Sequence, residues 1–224
     1  MRNSPRWRDR VDFVLIHANL LQTGTADRRG MTRIADERPM MFIQTEQTPN
    51  PATLKFLPGQ TVIPSGTANF PDAESAARSP LAQKLFALDG VTGVFFGADF
   101  VTVTKAGDID WYALKPAVLG VIMDVFTTGE PVMLADAATT GESTAHADDD
   151  DIVSQIKELI DTRVRPAVAQ DGGDIIFHGF EEGIVYLHMQ GACSGCPSST
   201  ATLKSGIENM LRHYIPEVSE VRAI

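Results

Sequence analysis

The sequence predicts an α+β protein built from two small domains. Short runs of apolar and β-branched residues between turn residues are typical of strands, and longer segments repeat apolar residues at a helical period. An acidic stretch rich in Thr, Gly, Ser and Ala separates the two regular parts. We therefore expect a basic extension at 1–40, a first α+β domain at 41–127, an acidic flexible linker at 128–150 and a second domain at 151–224.

The first domain is expected to contain a sheet. Apolar and β-favouring residues predict strands at 42–44 and 53–57, separated by a proline-rich break. Two further runs, at 91–96 and 100–104, flank a glycine-containing turn at 97–99, which is a hairpin signal. Together these segments indicate a small antiparallel sheet.

Two helices complete the first domain. Ser79 followed by Pro80 predicts a helix start, and leucines spaced i, i+4 and i+7 continue the apolar stripe up to a stop at Gly90. A second helix is expected from near Asp110 to Thr127, because apolar residues recur there at a 3.6-residue period. Both helices would place one apolar face against the sheet.

The second domain is expected to run helix, strand, strand, helix. Apolar residues on one face of 152–164 predict its first helix, which Pro166 kinks or ends. The Asp171-Gly-Gly-Asp174 sequence predicts a tight reversal into strands at 175–180 and 184–189. A final amphipathic helix follows the second strand.

Charge and hydropathy exclude two classes of partner. The formal net charge is −10, which argues against binding a nucleic-acid backbone. No run approaches the roughly 20 apolar residues of a membrane span. From these two observations we expect neither a membrane nor a nucleic-acid partner. Residues 1–40 carry eight Arg against five acids, which fits a disordered tail, a mis-assigned start ahead of Met40 or Met41, or a transit peptide unusually rich in acids.

The chain has two cysteines, Cys193 and Cys196, between the last predicted strand and the last predicted helix. Backbone N–H groups at a helix N-terminus lower the pKa of a nearby thiol, which favours metal binding. Gly191 and Gly195 would let the backbone wrap closely around a bulky ligand. The pair is therefore a candidate metal site, with both cysteines as ligands.

Two thiols are half of a ligand set, because zinc sites and iron-sulfur clusters usually take four ligands. The same cysteines of a second copy could complete it, and we prefer this to completion by His178 and His188 of the adjacent hairpin. Three other interpretations stay open: a local disulfide or buried thiol pair, a thiol-disulfide oxidoreductase with Cys193 as nucleophile, and a zinc-stabilised interaction module.

Two sets of motifs resemble the Nfu family of iron-sulfur cluster scaffold proteins. The first set resembles the Nfu N-terminal domain and the second the NifU-like C-terminal domain, so that the resemblance covers about residues 41–224. The motifs are Gln47-Thr-Pro-Asn-Pro51, Leu54-Lys-Phe56 and Pro58-Gly59 in the first set, and Asp171-Gly-Gly-Asp174, Gly191-Ala-Cys-Ser-Gly-Cys-Pro-Ser-Ser199, Leu203-Lys204 and Ile207-Glu208 in the second.

The resemblance implies a carrier, not an enzyme. It implies a [4Fe-4S] cluster shared by two protomers through Cys193 and Cys196, a homodimer that forms on cluster binding, receipt of the cluster from upstream assembly machinery and transfer to apo iron-sulfur proteins. Asp171 and Asp174 are expected to shape the turn, and the first domain to recognise targets. We expect a bacterial cytoplasmic protein, or a mitochondrial matrix protein if residues 1–40 are a transit peptide.

Overall fold

The computed structural model of the chain describes residues 41–134 and 151–224, here named the N-terminal unit and the C-terminal unit. Each unit has its own sheet and its own hydrophobic core, which confirms the α+β class. The expectations for 1–40 and for 135–150 lie outside the described residues. Within the described ranges, no helix is long and apolar enough to cross a membrane.

Five antiparallel strands form the sheet of the N-terminal unit. Across the sheet they lie in the order β1 (Gln44–Gln47), β2 (Thr53–Leu57), β5 (Val101–Lys105), β4 (Val91–Phe96) and β3 (Ala68–Phe70). Strands β2 and β4 have the predicted bounds, and β1 begins two residues later than predicted. The short edge strand β3 was not predicted, because three residues give too little alternation to detect.

Two helices cover one face of this sheet, together with a 3-10 turn at Ser75–Arg78. Helix α1 (Pro80–Phe86) begins at Ser79 as predicted, since the Ser79 hydroxyl accepts the Ala82 N–H at 3.0 Å. It ends four residues before the predicted stop at Gly90. Helix α2 (Trp111–Thr128) is capped by Asp110 and ends at Gly129, whose φ is +70°.

The residues after α2 return to the N-terminal unit. The Leu134 N–H donates to the Arg78 carbonyl at 3.0 Å, and the Ser79 hydroxyl donates to the Val132 carbonyl at 2.5 Å. Val132 and Met133 pack against the core. Residues 129–134, which the sequence placed in the acidic linker, are thus part of the N-terminal unit.

The C-terminal unit has a three-stranded sheet, in which a hairpin pairs with one further strand. Strands β6 (Gly173–Glu181) and β7 (Ile184–Gly191) form the predicted hairpin, and the two turn residues Glu182 and Gly183 both have positive φ, as a tight hairpin turn requires. Strand β8 (Glu220–Ala223) lies parallel to β7 after the last helix. The expected helix-strand-strand-helix order is therefore corrected by one terminal strand.

Helix α3 (Asp151–Leu159) continues through a π-helical segment (Ile160–Val164) into α4 (Arg165–Gln170). Pro166 was expected to kink or end this helix, and the chain stays helical through it with a distorted turn just before it. A proline ring clashes with the carbonyl four residues earlier in an α-helix, and widening the turn relieves this clash. The wider turn is visible in the bond from the Arg165 N–H to the Ile160 carbonyl. Helix α5 (Pro197–Tyr214) begins directly after the cysteines.

Candidate functional site

The two cysteines lie on the loop between β7 and α5, as the sequence predicted. Cys196 is the N-cap residue of α5, and its carbonyl accepts the Thr200 N–H at 3.0 Å. The Thr200 hydroxyl donates to the Cys193 carbonyl, also at 3.0 Å. Thr200 thus ties both cysteine backbones to the first turn of the helix, and we name residues 191–196 the cysteine loop.

Tight turns fold the cysteine loop back onto strand β7. The Ser194 N–H and hydroxyl both donate to the Gly191 carbonyl, at 3.2 and 2.9 Å. Gly191 and Gly195 have φ values of +62° and +79°, a region that side chains disfavour. The glycines thus permit these tight turns, and the wrapping of the backbone around a bulky ligand stays a prediction.

Cys193 is a buried thiol that packs against the start of β6. Its side chain belongs to the core of the C-terminal unit, and the residue is 5% exposed. A Cβ atom on Gly173 would lie 2.6 Å from the Cys193 Sγ, so only a glycine leaves room for the thiol. In this conformation the Cys193 thiol faces the protein interior.

Burial reverses the predicted electrostatic effect on Cys193. Desolvation, followed by the negative charges of Asp171 and Asp174, raises the pKa of the Cys193 thiol to about 12. The sequence predicted a lowered pKa from the helix N-terminus, and for Cys193 this was wrong. The sequence did not reveal that the thiol enters the core beside two carboxylates.

Cys196 is more accessible than Cys193, with an intermediate exposure. No disulfide joins the two cysteines. Among the described residues, no three His, Cys, Asp or Glu side chains come together in a group that could hold a metal ion. The described part of one chain therefore provides the two thiols without a third ligand of these types.

The two histidines considered as further ligands lie on the hairpin with exposed side chains. His178 is in β6 and His188 is in β7, and the His188 Nδ1 lies 3.1 Å from the Ile224 carbonyl oxygen. Neither histidine forms a metal-binding group with the cysteines. Completion of the site by these histidines therefore has no support in the structure.

Asp174 is a buried carboxylate that fixes the reversal before β6. It accepts hydrogen bonds from the Arg165 Nε and Nη2 at 2.8 and 2.9 Å, and from the Ile175 N–H at 2.8 Å. Asp171 is exposed, and partial desolvation raises the pKa of its carboxyl while Lys55 opposes that shift. Asp174 thus ties the reversal before β6 to Arg165, the first residue of helix α4. Sequence reasoning missed Arg165, whose spacing of nine residues from Asp174 matches no local motif.

Two family models match the two units of this chain. The family model described as "Scaffold protein Nfu/NifU N terminal" matches residues 43–129, and the model described as "NifU-like domain" matches residues 156–222. A solution NMR structure of a NifU-like protein from Saccharomyces cerevisiae aligns with a TM-score of 0.38 and 22% identity, covering 53% of this chain and 98% of that chain.

Curated relatives match both units. "NifU-like protein 5, mitochondrial" of Arabidopsis thaliana is 56% identical over 189 residues, covering 83% of this chain and 69% of the relative. "NFU1 iron-sulfur cluster scaffold homolog, mitochondrial" of Homo sapiens is 52% identical over 185 residues, covering 82% of this chain and 72% of the relative. The chain therefore belongs to the Nfu/NifU scaffold protein family.

Proposed function

We propose that this chain is an iron-sulfur cluster scaffold and carrier, which holds a [4Fe-4S] cluster between two copies of itself through Cys193 and Cys196. The cysteine loop carries this proposal: both thiols lie on one glycine-flanked turn at the start of α5, without a third ligand group among the described residues. Relatives named as iron-sulfur cluster scaffold homologs support the assignment.

The chemistry of the donors fits this cargo. Thiolates are the usual ligands of iron-sulfur clusters, and a cubane cluster takes four of them. Two copies related by a twofold axis supply four sulfurs from two identical loops. The Cys193 side chain must turn out of the core for this, so cluster binding requires a local rearrangement of the cysteine loop.

Transfer is proposed to occur by ligand exchange, without turnover chemistry. In each step one iron–sulfur bond forms to a target cysteine and one bond to the carrier breaks. The proton of the target thiol passes to the departing carrier thiolate, and no electron moves. The buried position of Cys193 favours its protonated form, with a pKa of about 12 in the cluster-free state, and this favours release.

The partners follow from this mechanism. Apo iron-sulfur proteins with four ligands on one chain are the recipients, and an upstream assembly system supplies the cluster. The relatives are named mitochondrial, so we propose the mitochondrial matrix in place of the expected bacterial cytoplasm. Fusion of residues 1–40 to a fluorescent protein tests this location, and a signal that stays cytosolic would contradict it.

Anaerobic reconstitution with iron and sulfide tests the proposed function. We expect a brown dimer with about two irons per chain, a [4Fe-4S] Mössbauer spectrum, and loss of both in Cys193→Ala and Cys196→Ala. His188→Ala is the matched control and should load normally, because symmetric sharing needs no histidine. A colourless protein that holds only zinc, or a metal-free monomer that reduces disulfides, would overturn the proposal.

A further inference from the structure

Side chains of the N-terminal unit donate hydrogen bonds to the turns around the cysteines. The Asn50 amide donates to the carbonyl of Ser194, which lies between the two cysteines, at 3.1 Å. The Thr102 hydroxyl donates to the Gly172 carbonyl at 2.8 Å. Two further bonds reach residues close to Gly172. Lys55 Nζ donates to the Gln170 carbonyl at 2.9 Å, and the Thr67 hydroxyl donates to Asp174 Oδ2 at 2.8 Å.

Two of these donors, Lys55 and Thr102, lie on the face of the N-terminal sheet that points away from α1 and α2. Lys55, Thr102 and Phe95 pair side by side across strands β2, β5 and β4. Antiparallel sheets commonly leave such a second face in water. Here the three residues are 7%, 1% and 1% exposed, so the C-terminal unit covers this face.

The packing between the units is close as well as polar. A Cβ atom on Gly191 would approach the ring of Phe95 to 2.9 Å, so the ring lies directly on the backbone at the start of the cysteine loop. Phe95 belongs to neither hydrophobic core. Its burial comes instead from Phe100, 6.0 Å away between ring centroids, and from the opposite unit.

We propose that the N-terminal unit closes over the cysteine loop of its own chain, and that this closed state must open before a second copy can share a cluster with it. The inference rests on the proposed function. Cys196 stays partly accessible, whereas the Cys193 side chain points into the core from the cysteine loop, which Asn50 and Phe95 contact. Two such loops cannot meet while each is covered by its own N-terminal unit.

The motifs of the N-terminal unit gain a role in this closed state. Asn50 belongs to the Gln47–Pro51 motif, and its Oδ1 accepts the Ala52 N–H at 3.0 Å while its Nδ2 reaches Ser194. Lys55 is the centre of the Leu54-Lys-Phe56 motif. Sixteen residues, 135–150, join the two units along the chain.

The fraction of chains in the open state affects the apparent affinity of cluster-driven dimerisation. When only a fraction of the chains is open and able to bind, the apparent dissociation constant equals the intrinsic one divided by that fraction. Both chains must open, so the fraction enters twice. A substitution that raises the open fraction tenfold should therefore lower the chain concentration needed for dimerisation by up to about 100-fold.

The first experiment measures rotational tumbling of the full chain by 15N relaxation. In the metal-free wild type we expect both units to share the slow tumbling of a 24.3 kDa body. Thr102→Arg places a bulky cation in the contact and should give two faster, separate tumbling times. Thr92→Arg is the matched control on the exposed part of β4 and should tumble as the wild type does. Lys55→Glu disrupts the same contact independently, should Thr102→Arg fail to fold.

The second experiment follows anaerobic reconstitution of the same variants against chain concentration. Thr102→Arg and Lys55→Glu should form the loaded dimer at a concentration at least about tenfold lower than wild type and Thr92→Arg. Independent tumbling in the metal-free wild type, or equal loading by all four proteins, would overturn the closed state while leaving the carrier function standing. If no protein binds a cluster, the proposed function and the gating both fail, and tumbling still decides whether the units contact each other.

Discussion

Cys193 shows how the position of one side chain sets the chemistry of the site. The thiol enters a core that also contains Ile175 and Leu187, and the carboxylates of Asp171 and Asp174 lie near it. All of these surroundings oppose a negative charge on sulfur. The metal-free state is therefore a neutral, unreactive thiol, and cluster binding has to move the side chain and remove its proton.

The raised pKa of Cys193 predicts a loss of stability in alkaline solution. The neutral thiol is favoured in the folded state, so its stabilising contribution is complete below pH 9.0 and is lost as pH rises towards about 12. We expect a loss of about 2 kcal/mol at pH 10.5 relative to pH 8. Urea unfolding of the metal-free wild type and Cys193→Ala at both pH values measures it. Equal losses in the two proteins would contradict a buried, neutral thiol.

The buried carboxylate of Asp174 gives a second prediction. Asp174→Asn leaves Arg165 without its main charged partner, and breaking a buried ion pair costs about 3 kcal/mol. Asp161 contacts the same guanidinium from a 40% exposed position, so Asp161→Asn should cost less than about 0.5 kcal/mol. Thermal or urea unfolding distinguishes the two variants. Equal destabilisation would show that the reversal before β6 does not depend on Asp174.

Backbone and packing act together in the cysteine loop. Gly191 and Gly195 both have positive φ, and an alanine at either position costs about 1 kcal/mol in backbone strain. A Cβ on Gly191 would also clash with the Gly172 carbonyl and the Phe95 ring, whereas the space around Gly195 is open. We expect Gly191→Ala to destabilise the chain by at least about 2 kcal/mol more than Gly195→Ala in urea unfolding. Similar costs would mean that the loop relaxes away from β6 and Phe95.

Helix α1 depends on a buried cap. The Ser79 hydroxyl accepts the Ala82 N–H and donates to the Val132 carbonyl, so Ser79→Ala should cost about 2 kcal/mol. Asp110 caps α2 from an exposed position, and Asp110→Ala should cost about 1 kcal/mol or less because water replaces the carboxylate. Thermal unfolding tests the difference. A larger loss in Asp110→Ala would refute the link between α1 and residues 129–134.

Periodicity predicted the longer elements and missed the short ones. Strand β4 and the start of α1 at Ser79 were read correctly, because alternation and capping residues are local signals. Strand β8 was missed because it has only four residues and is held by groups distant in sequence. One of these is the Glu208 carboxylate, which accepts the Val221 N–H at 3.1 Å. The cysteine positions were equally local, but the burial of Cys193 depends on Gly173, a contact across twenty residues.

The two faces of the N-terminal sheet differ in how readily sequence reveals them. The face towards α1 and α2 contains Phe56, Val94 and Val103, which any apolar pattern detects. The other face buries Lys55 and Thr102, residue types that predict solvent exposure. Their burial depends on hydrogen bonds to carbonyls more than 65 residues away, so no local pattern indicates that the units contact each other.

The connection between the units should control how often the chain closes. The effective concentration of one unit at the other falls as about the −3/2 power of the length of the connection. Inserting sixteen Gly and Ser residues into the sixteen-residue segment at 135–150 should therefore lower the closed-to-open ratio about threefold. Amide shifts of Phe95 and Thr102 report the ratio. A permuted sequence of the original length should leave it nearly unchanged, since the span is the same. If the longer connection has no effect, the two units in contact do not belong to the same chain. The contact would then come from a second copy, and dilution would reveal this as a concentration-dependent shift of the same amide signals.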